Sequence, residues 1–431
     1  MHLYPMLRLY IHYLYWILIF GTGLVQLLGL DSGIYKLGIP FLAVLLLVYS
    51  FIAKGNELKY PFVWWYFGFM GISLISSLIN GIDYFSLLYF LVYTSLSYFY
   101  FLILYNETNF LIIKKVITFI KILVLIQIPA ILIKYVLIGQ TEHGGIGTLS
   151  INAGSVSTIF PLFIITILFC LYLFKNKSKY LIFIFLFSLM GIVGNKRAIL
   201  FFVPIILLLV AILFVKLEST RQVSNLWSKI SLACIIGVAV FYITARTNKT
   251  LNPEHSNWGS FDLNYIITYV DNYTSSKSND KYQMRRKDGL AYFINYTLES
   301  QPQQMLLGDG AGKLIESKYN VRMGSIKNEY GVRYGGRMGF VWLLLQIGLL
   351  GTIVYLLFYM RLFAMVLNKY RSNPIYLAFL GLTIVFFMDT IIYSNVFLRY
   401  EYLKGLYFVI LALILLDQKY KTNYFSKMII F

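Results

Sequence analysis

Residues 246–289 read RTNKTLNPEHSNWGSFDLNYIITYVDNYTSSKSNDKYQMRRKDG, the start of a polar run that continues to residue 337. The rest of the chain is almost unbroken apolar sequence. Of its 431 residues, 59% are hydrophobic, 18% aromatic and only 13% charged, and the mean hydropathy is +0.72. Soluble globular domains do not have that balance. The contrast decides the fold class: a membrane-embedded chain with one long hydrophilic loop late in it. Transporters and channels usually keep their connections short. One long loop on one side points instead to an active site built at a membrane surface.

Apolar runs of about 20 residues recur along the chain, each long enough to cross the roughly 30 Å hydrocarbon layer as a helix. Such segments must be helical, because backbone groups in lipid need partners within their own segment. The hydrophobicity is too continuous for the alternation of a transmembrane barrel. About twelve spans are expected, at 13–30, 37–53, 61–80, 84–105, 116–138, 153–174, 180–194, 198–215, 229–245, 338–360, 375–395 and 402–417. The seventh is short and is read as tilted or tightly joined to the eighth. The organisation is then residues 1–245 with nine spans, a large extracytoplasmic loop at 246–337 with short amphipathic helices, and 338–431 with three spans and a tail.

Charge sets the orientation. One set of connections carries Arg8, Lys54, Lys59, Lys114, Lys115, Lys121, Lys175, Lys177, Lys179, Lys216, Arg221, Lys229, Arg361, Lys369, Arg371, Lys419, Lys421 and Lys427. The short connections opposite hold only Lys36, Lys134, Lys196, Arg197, Arg399 and Lys404. An excess of Lys and Arg in short loops marks the cytoplasm. Both termini of this multi-pass chain are therefore expected in the cytoplasm, with 246–337 facing outward. The net charge of +19 is mostly topology and needs no nucleic-acid partner. The first span lacks a small-residue cleavage site and is expected to remain. Cys170 and Cys234 both fall inside predicted spans, where buried inert thiols are the expectation. The chain contains no sequence repeat, Walker loop, dinucleotide fingerprint or HExxH.

Four outward-facing regions carry unusual chemistry. In GIGTLSINAGSV, residues 145–156, the glycines permit a tight return and Asn152 opens the next helix, as an N-cap or as a site residue. In GNKRAIL, residues 194–200, Lys196 and Arg197 stand against the charge bias. They either snorkel to the interface or hold an anion. In QMRRKDGLAYFINYTLESQPQQMLLGDGAGK, residues 283–313, Arg285, Arg286 and Lys287 precede an amphipathic helix with Leu290, Phe293, Ile294 and Leu298 on one face. Pro302 and Gly308, Gly310 and Gly312 end that helix in turns. For this cluster, phosphate binding competes with plain solvation or attraction to anionic lipid. The return into the membrane, IKNEYGVRYGGRMGFVWLLLQIGLLG at 326–351, supplies Lys327, Glu329, Arg333 and Arg337, with Gly348 and Gly351 read as packing positions inside the span. Arginine is the telling residue type, because its planar fork binds phosphate oxygens in pairs and stays charged. Arg197, Arg286 and Arg337 come from separate segments, and all are expected at the outer interface.

These four landmarks, in this order, resemble the O-antigen polymerase (Wzy-type) and O-antigen ligase superfamily. The resemblance covers about the whole chain in layout. It rests on Gly145 to Asn152, on Asn195–Ala198 at the outer end of a helix pair, on Arg286, Pro302 and Gly308–Gly310 in the large loop, and on Gly348 and Gly351 after re-entry. Where the superfamily has a His-Asn element, this chain has Arg337 and Met338, and that departure argues for polymerase over ligase. The fold implied is an all-α polytopic bundle with the loop capping an outward cavity. The implied substrates are two undecaprenyl-pyrophosphate-linked oligosaccharides, joined by glycosyl transfer for surface-polysaccharide (O-antigen or capsule) biosynthesis, with lipopolysaccharide as one destination. Lys196, Arg197, Arg285, Arg286, Lys327, Arg333 and Asn152 would hold diphosphate or glycan. Arg337 would stabilise the leaving group and Glu329 is the first candidate base, with Asp288 and Asp309 behind it, more readily read as ordinary loop carboxylates. No cofactor or metal is expected, since no dense carboxylate cluster is present. The expected partners are membrane lipids and a chain-length regulator. Asp389, in FFMDTIIYS, is read as the only acid deep in an apolar run, with a structural pairing at least as expected as catalysis. A lipid-linked oligosaccharide flippase is the main rival, opposed by the long loop and by the absence of paired broken helices in the sequence pattern. A non-catalytic assembly protein is the other.

Overall fold

The computed structural model describes residues 5–28, 62–138, 147–149, 155–194, 196–217, 226–256, 258–274, 298–314, 338–370 and 373–422, with single residues or pairs at 38, 41–42, 45–46, 48, 291, 295 and 424. Helix is the regular structure among them, and no strand occurs. The helices are α1 (Pro5–Phe20), α2 (Thr22–Leu27), α3 (Val63–Ile79), α4 (Tyr84–Asn106), α5 (Phe110–Ile138), α6 (Val156–Lys175), α7 (Ser178–Val193), α8 (Ala198–Leu217), α9 (Leu226–Thr247), α10 (Leu263–Thr274), α11 (Pro302–Leu307), α12 (Gly339–Asn368), α13 (Pro374–Phe387), α14 (Val396–Arg399) and α15 (Glu401–Lys419). A π-helical turn, Met388–Tyr393, extends α13. Among the described residues, seven helices are long and apolar enough to cross a membrane, and α1, α3 and α7 are shorter apolar helices.

Local chemistry sets the ends. The Asp83 carboxylate accepts the Ser86 amide at 2.9 Å and starts α4. The same kind of cap recurs at α13, where the Asn373 side chain accepts the Ile375 amide at 3.1 Å and Pro374 takes the first helical position. α6 and α15 are buried along nearly their whole lengths and form the centre of the bundle. An all-round apolar helix needs such a seat. α15 packs on α4 and α13, α6 packs on α7, α8 and α13, α12 packs on α3, and α9 packs on α8. α5 and α9 turn many apolar side chains outward, among them Ile133, Val136, Ile235 and Val238.

The ends of the helices gather into two faces. At one face Arg8 Nη1 lies 3.4 Å from Glu107 Oε1, Phe110 packs edge-on to Tyr420 and Lys369 donates to Gln418. At the other lie the turn at 80–83, the start of α8, the segments 248–274 and 298–314, and the start of α12.

Several expectations need correction. The first helix begins at Pro5, not 13, and ends at Phe20 before Gly21, where a Cβ would lie 2.7 Å from the Ile17 carbonyl oxygen. The span expected at 37–53 lies largely outside the described residues, as do Leu290, Phe293 and Ile294 of the amphipathic face. Pro302 does not end a helix but starts α11. Gly348 is not a packing glycine in a continuous span. It breaks α12, with φ 62° and ψ −170°. Cys170 is buried, but Cys234 is exposed on the outside of the bundle.

Candidate functional site

Lys196 and Arg197 stand at the start of α8, in a hairpin tip packed closely at its glycines. A Cβ on Gly191 would lie 1.9 Å from Ile199 Cδ1, and one on Gly194 would lie 2.7 Å from Ser157 Cβ. The tip is thereby pressed against the first turn of α6, the helix that Asn152 precedes. Both cations are half-buried. The Arg197 guanidinium donates to the Tyr269 hydroxyl and lies 4.7 Å over its ring. Tyr269 belongs to α10, the amphipathic first part of the long loop. Ile266 of α10 packs with Leu200, Ala245 and Leu251 in a small separate core, so this part of the loop covers the ends of α8 and α9.

The start of α12 reaches the same place. Thr158, in the first turn of α6, shares a 3.1 Å hydrogen bond with the Tyr393 hydroxyl, and the Tyr393 ring meets Phe202 of α8 edge-on at 5.1 Å. The next residue, Ser394, accepts the Gly339 amide at 2.9 Å. A Cβ on Gly339 would lie 3.0 Å from the Ser394 carbonyl oxygen and 3.2 Å from Thr390 Cα. Thus the starts of α6, α8 and α12 and the π turn adjoin one another, with α10 held against α8 by Arg197.

A second part of the long loop docks on the same face. α11 leads into Gly308–Gly312, and this glycine turn is laid against α3 and α12. The Asp309 and Gly310 amides donate to the Leu345 and Gln346 carbonyls at 2.8 and 3.1 Å, where α12 is broken at Gly348. Ser77 Oγ donates to the Ala311 carbonyl at 2.8 Å, Asn80 Nδ2 to the Gly308 carbonyl at 3.1 Å, and the Gly312 amide to Gln346 Oε1 at 3.0 Å. Asp309 is buried, accepts from Gln304 at 2.5 Å and stands 3.9 Å from Lys313. Those contacts make it a residue of the docked turn.

Of the residues singled out in the sequence, Lys196 and Arg197 belong to this junction. Asn152, Arg285, Arg286, Asp288, Lys327, Glu329, Arg333 and Arg337 lie outside the described residues, as does Asn195. Asp389 is fully buried, and its Oδ2 accepts the Phe397 amide at 2.6 Å, a structural pairing that opens α14. It is not the only acid deep in the bundle. Glu401 and Lys404 are both buried, 2.6 Å apart, although the sequence places Lys404 in a short loop. Ser97 Oγ donates to Glu401 Oε2 at 2.5 Å and meets the Tyr15 hydroxyl at 3.0 Å. Lys404 also donates to the carbonyls of Leu398, at 3.0 Å, and Tyr93. The signal was present in YEYLKGLYF, residues 400–408, where opposite charges three apart sit in an apolar run. Among the described residues, no three His, Cys, Asp or Glu side chains group as metal ligands would.

No family model and no curated protein matches this chain.

Proposed function

We propose that the chain is a surface-polysaccharide polymerase, joining undecaprenyl-pyrophosphate-linked repeat units at the outer face of the bacterial inner membrane, with both termini cytoplasmic and about twelve spans. The observation that carries this reading is the seat of Arg197. It stands where α6, α8 and α12 begin, under a helix of the long loop. A phosphate arriving there meets a guanidinium already oriented by Tyr269, and preorganised charge of that kind is usually what lowers the barrier most in group transfer. The resemblance in layout agrees with this reading.

In the proposed step, a hydroxyl oxygen of the incoming unit forms a bond to the anomeric carbon of the growing chain. The bond from that carbon to the diphosphate oxygen breaks, and the lipid diphosphate leaves with the electron pair. The hydroxyl proton passes to a base, for which Glu329 is the candidate. Lys196 and Arg197 offer charge to the leaving group, and Arg337 is the further cation proposed for it. General-base assistance is worth about 10²–10⁴-fold, so loss of the base would slow the enzyme without unfolding it. The replacements Arg197→Ala and Arg337→Ala are each expected to stop chain growth in a strain lacking the native gene, while membrane insertion persists. Normal-length polymer from both variants would remove the assignment.

A flippase for the same lipid-linked sugars is the second reading. The break of α12 at Gly348 and the π turn after α13 favour it, because interrupted helices build midplane sites in transporters. Deletion separates the two readings. Loss of a polymerase leaves single repeat units displayed outside the cell, whereas loss of a flippase traps them inside.

A further inference from the structure

We propose that the first part of the long loop is anchored in the bilayer, with Trp258, Phe261, Leu263 and Ile267 seated among the lipid head groups and upper acyl chains of the adjoining leaflet. The inference begins with α10. Leu263, Ile266, Ile267 and Val270 recur at i, i+3, i+4 and i+7, on one face of the helix. That face is wider than the part the protein covers. Ile266 and Val270 pack in the small core with Leu200, Ala245 and Leu251, whereas Leu263 and Ile267 are 50% and 59% exposed. Asn264, Thr268 and Asn272 take the opposite side and are exposed as well. In water the uncovered apolar edge would cost free energy with nothing to offset it. In a membrane interface the same edge is what holds a helix in the plane of the bilayer.

The chain before α10 folds back along α9 instead of away from it. Asn252 is fully buried and donates to the Arg246 and Ser256 carbonyls at 3.0 and 2.9 Å, which closes the turn. The Arg246 guanidinium donates to the Gly259 carbonyl at 2.7 Å and to the Tyr242 hydroxyl at 3.0 Å, and lies 4.6 Å over the Trp258 ring. The Phe261 ring meets those of Tyr242 and Phe241 at 5.5 and 6.0 Å. Tyr242 stands inside the apolar span that ends at Thr247, about 7.5 Å short of that end at a rise of ~1.5 Å per residue. Phe261 is therefore level with the last turns of a membrane-crossing helix. Continuity names the occupant. Ile235, Val238 and Tyr242, at i, i+3 and i+7, form the exposed outer stripe of α9, the side of a span that meets acyl chains. Phe261 joins that stripe at its upper end, Trp258 lies beside it at 55% exposure, and α10 starts two residues later. Tryptophan at the end of a span is typical of the membrane–water interface. Exposed rings also suit a sugar, but a glycan-binding face gives no reason for Leu263 and Ile267, or for the junction with the outer stripe of α9. Tyr269 bonds Arg197 from the same helix, so the anchor also sets the candidate site at the level of the head groups. The anchor is independent of the reaction proposed for that site.

The test uses the full chain in lipid nanodiscs, in a Cys234→Ser background, with a nitroxide on one introduced cysteine at a time. Collisions with molecular oxygen, which concentrates in lipid, are compared with collisions with nickel ethylenediamine diacetate, which stays in water. All the labelled positions are exposed, so the variants are expected to keep the wild-type unfolding midpoint. The ratio of oxygen to nickel collisions at Leu263→Cys and Ile267→Cys is expected to exceed that at Glu254→Cys and Thr268→Cys severalfold. The comparison of Ile267 with Thr268 is the sharpest, because adjacent residues then report different surroundings. Nickel collisions at Leu263→Cys and Ile267→Cys as frequent as at Thr268→Cys overturn the proposal, since the face then lies in water, open to a glycan. Loss of both kinds of collision at those two positions also overturns it, and assigns the face to a second copy of the chain or to another protein. Neither failure touches the polymerase reading, which stands or falls on chain growth in Arg197→Ala and Arg337→Ala.

Discussion

Glu401 and Lys404 tie α15 to α4 and α14. Lys404 has three donors, and the structure gives it three acceptors: the Glu401 carboxylate and the carbonyls of Leu398 and Tyr93. With every donor used and its side chain fully buried, the ammonium is closed to outside ligands. Removing one partner of such a pair leaves an uncompensated charge and costs about 3–5 kcal/mol, whereas replacing both with apolar residues is often nearly neutral. Glu401→Leu and Lys404→Met are therefore each expected to lower the unfolding midpoint of the detergent-purified protein strongly. The double variant Glu401→Leu/Lys404→Met is expected to lie closer to wild type than either single variant. Strictly additive losses would contradict a paired arrangement. This pair escaped the sequence reading for a physical reason. A charge near the edge of an apolar run reads the same whether it meets water or a partner on another helix, and only packing of α15 against α4 distinguishes the two.

At the scale of elements, the glycine turn and the broken helix explain each other. Gly308 has φ 72° and Gly348 has φ 62°, both left-handed. A Cβ on Gly348 would lie 2.3 Å from the Leu306 carbonyl, and one on Gly308 would lie 2.5 Å from the Gly348 amide nitrogen. Backbone meets backbone here, so neither side can yield by a rotamer change. Gly348→Ala is expected to unseat residues 306–312 while leaving the other spans folded. Limited proteolysis would then cut within 298–314 in the variant and spare the wild type; equal protection in both would contradict the seat. The helices themselves were legible, because a run of about 20 apolar residues has few other options in lipid. Their interruptions were not. A glycine in such a run signals close helix packing or a break with equal force, and the choice depends on a loop that returns from about 40 residues upstream. The same limit applies to Asp389, whose sequence neighbours show burial but not the Phe397 amide it caps.

Over the whole molecule, the candidate site emerges from topology. Arg197 and Tyr269 are far apart in sequence, yet they touch because α8 begins and the long loop folds on one face. Charge counting puts the start of α8 and the long loop on one side as an expectation, because it assumes alternate connections along a series of about twelve spans. It could not anticipate which loop side chain would meet Arg197, because α10 is placed by its small core with Leu200, Ala245 and Leu251. Nor can helix packing alone say which face is outside; the charge bias supplies that, and it is open to direct measurement. Thr108 and Glu254 are exposed at opposite faces, beside Glu107 and within the long loop respectively. In a Cys234→Ser background, which removes the exposed native thiol while Cys170 stays buried, a membrane-impermeant maleimide is expected to label Glu254→Cys in intact cells. It is expected to label Thr108→Cys only after the membrane is opened. The reverse pattern would put Arg197 and the long loop in the cytosol. A polymerase drawing on units already moved across the membrane could not work from that side, so the proposed reaction would be lost together with the orientation.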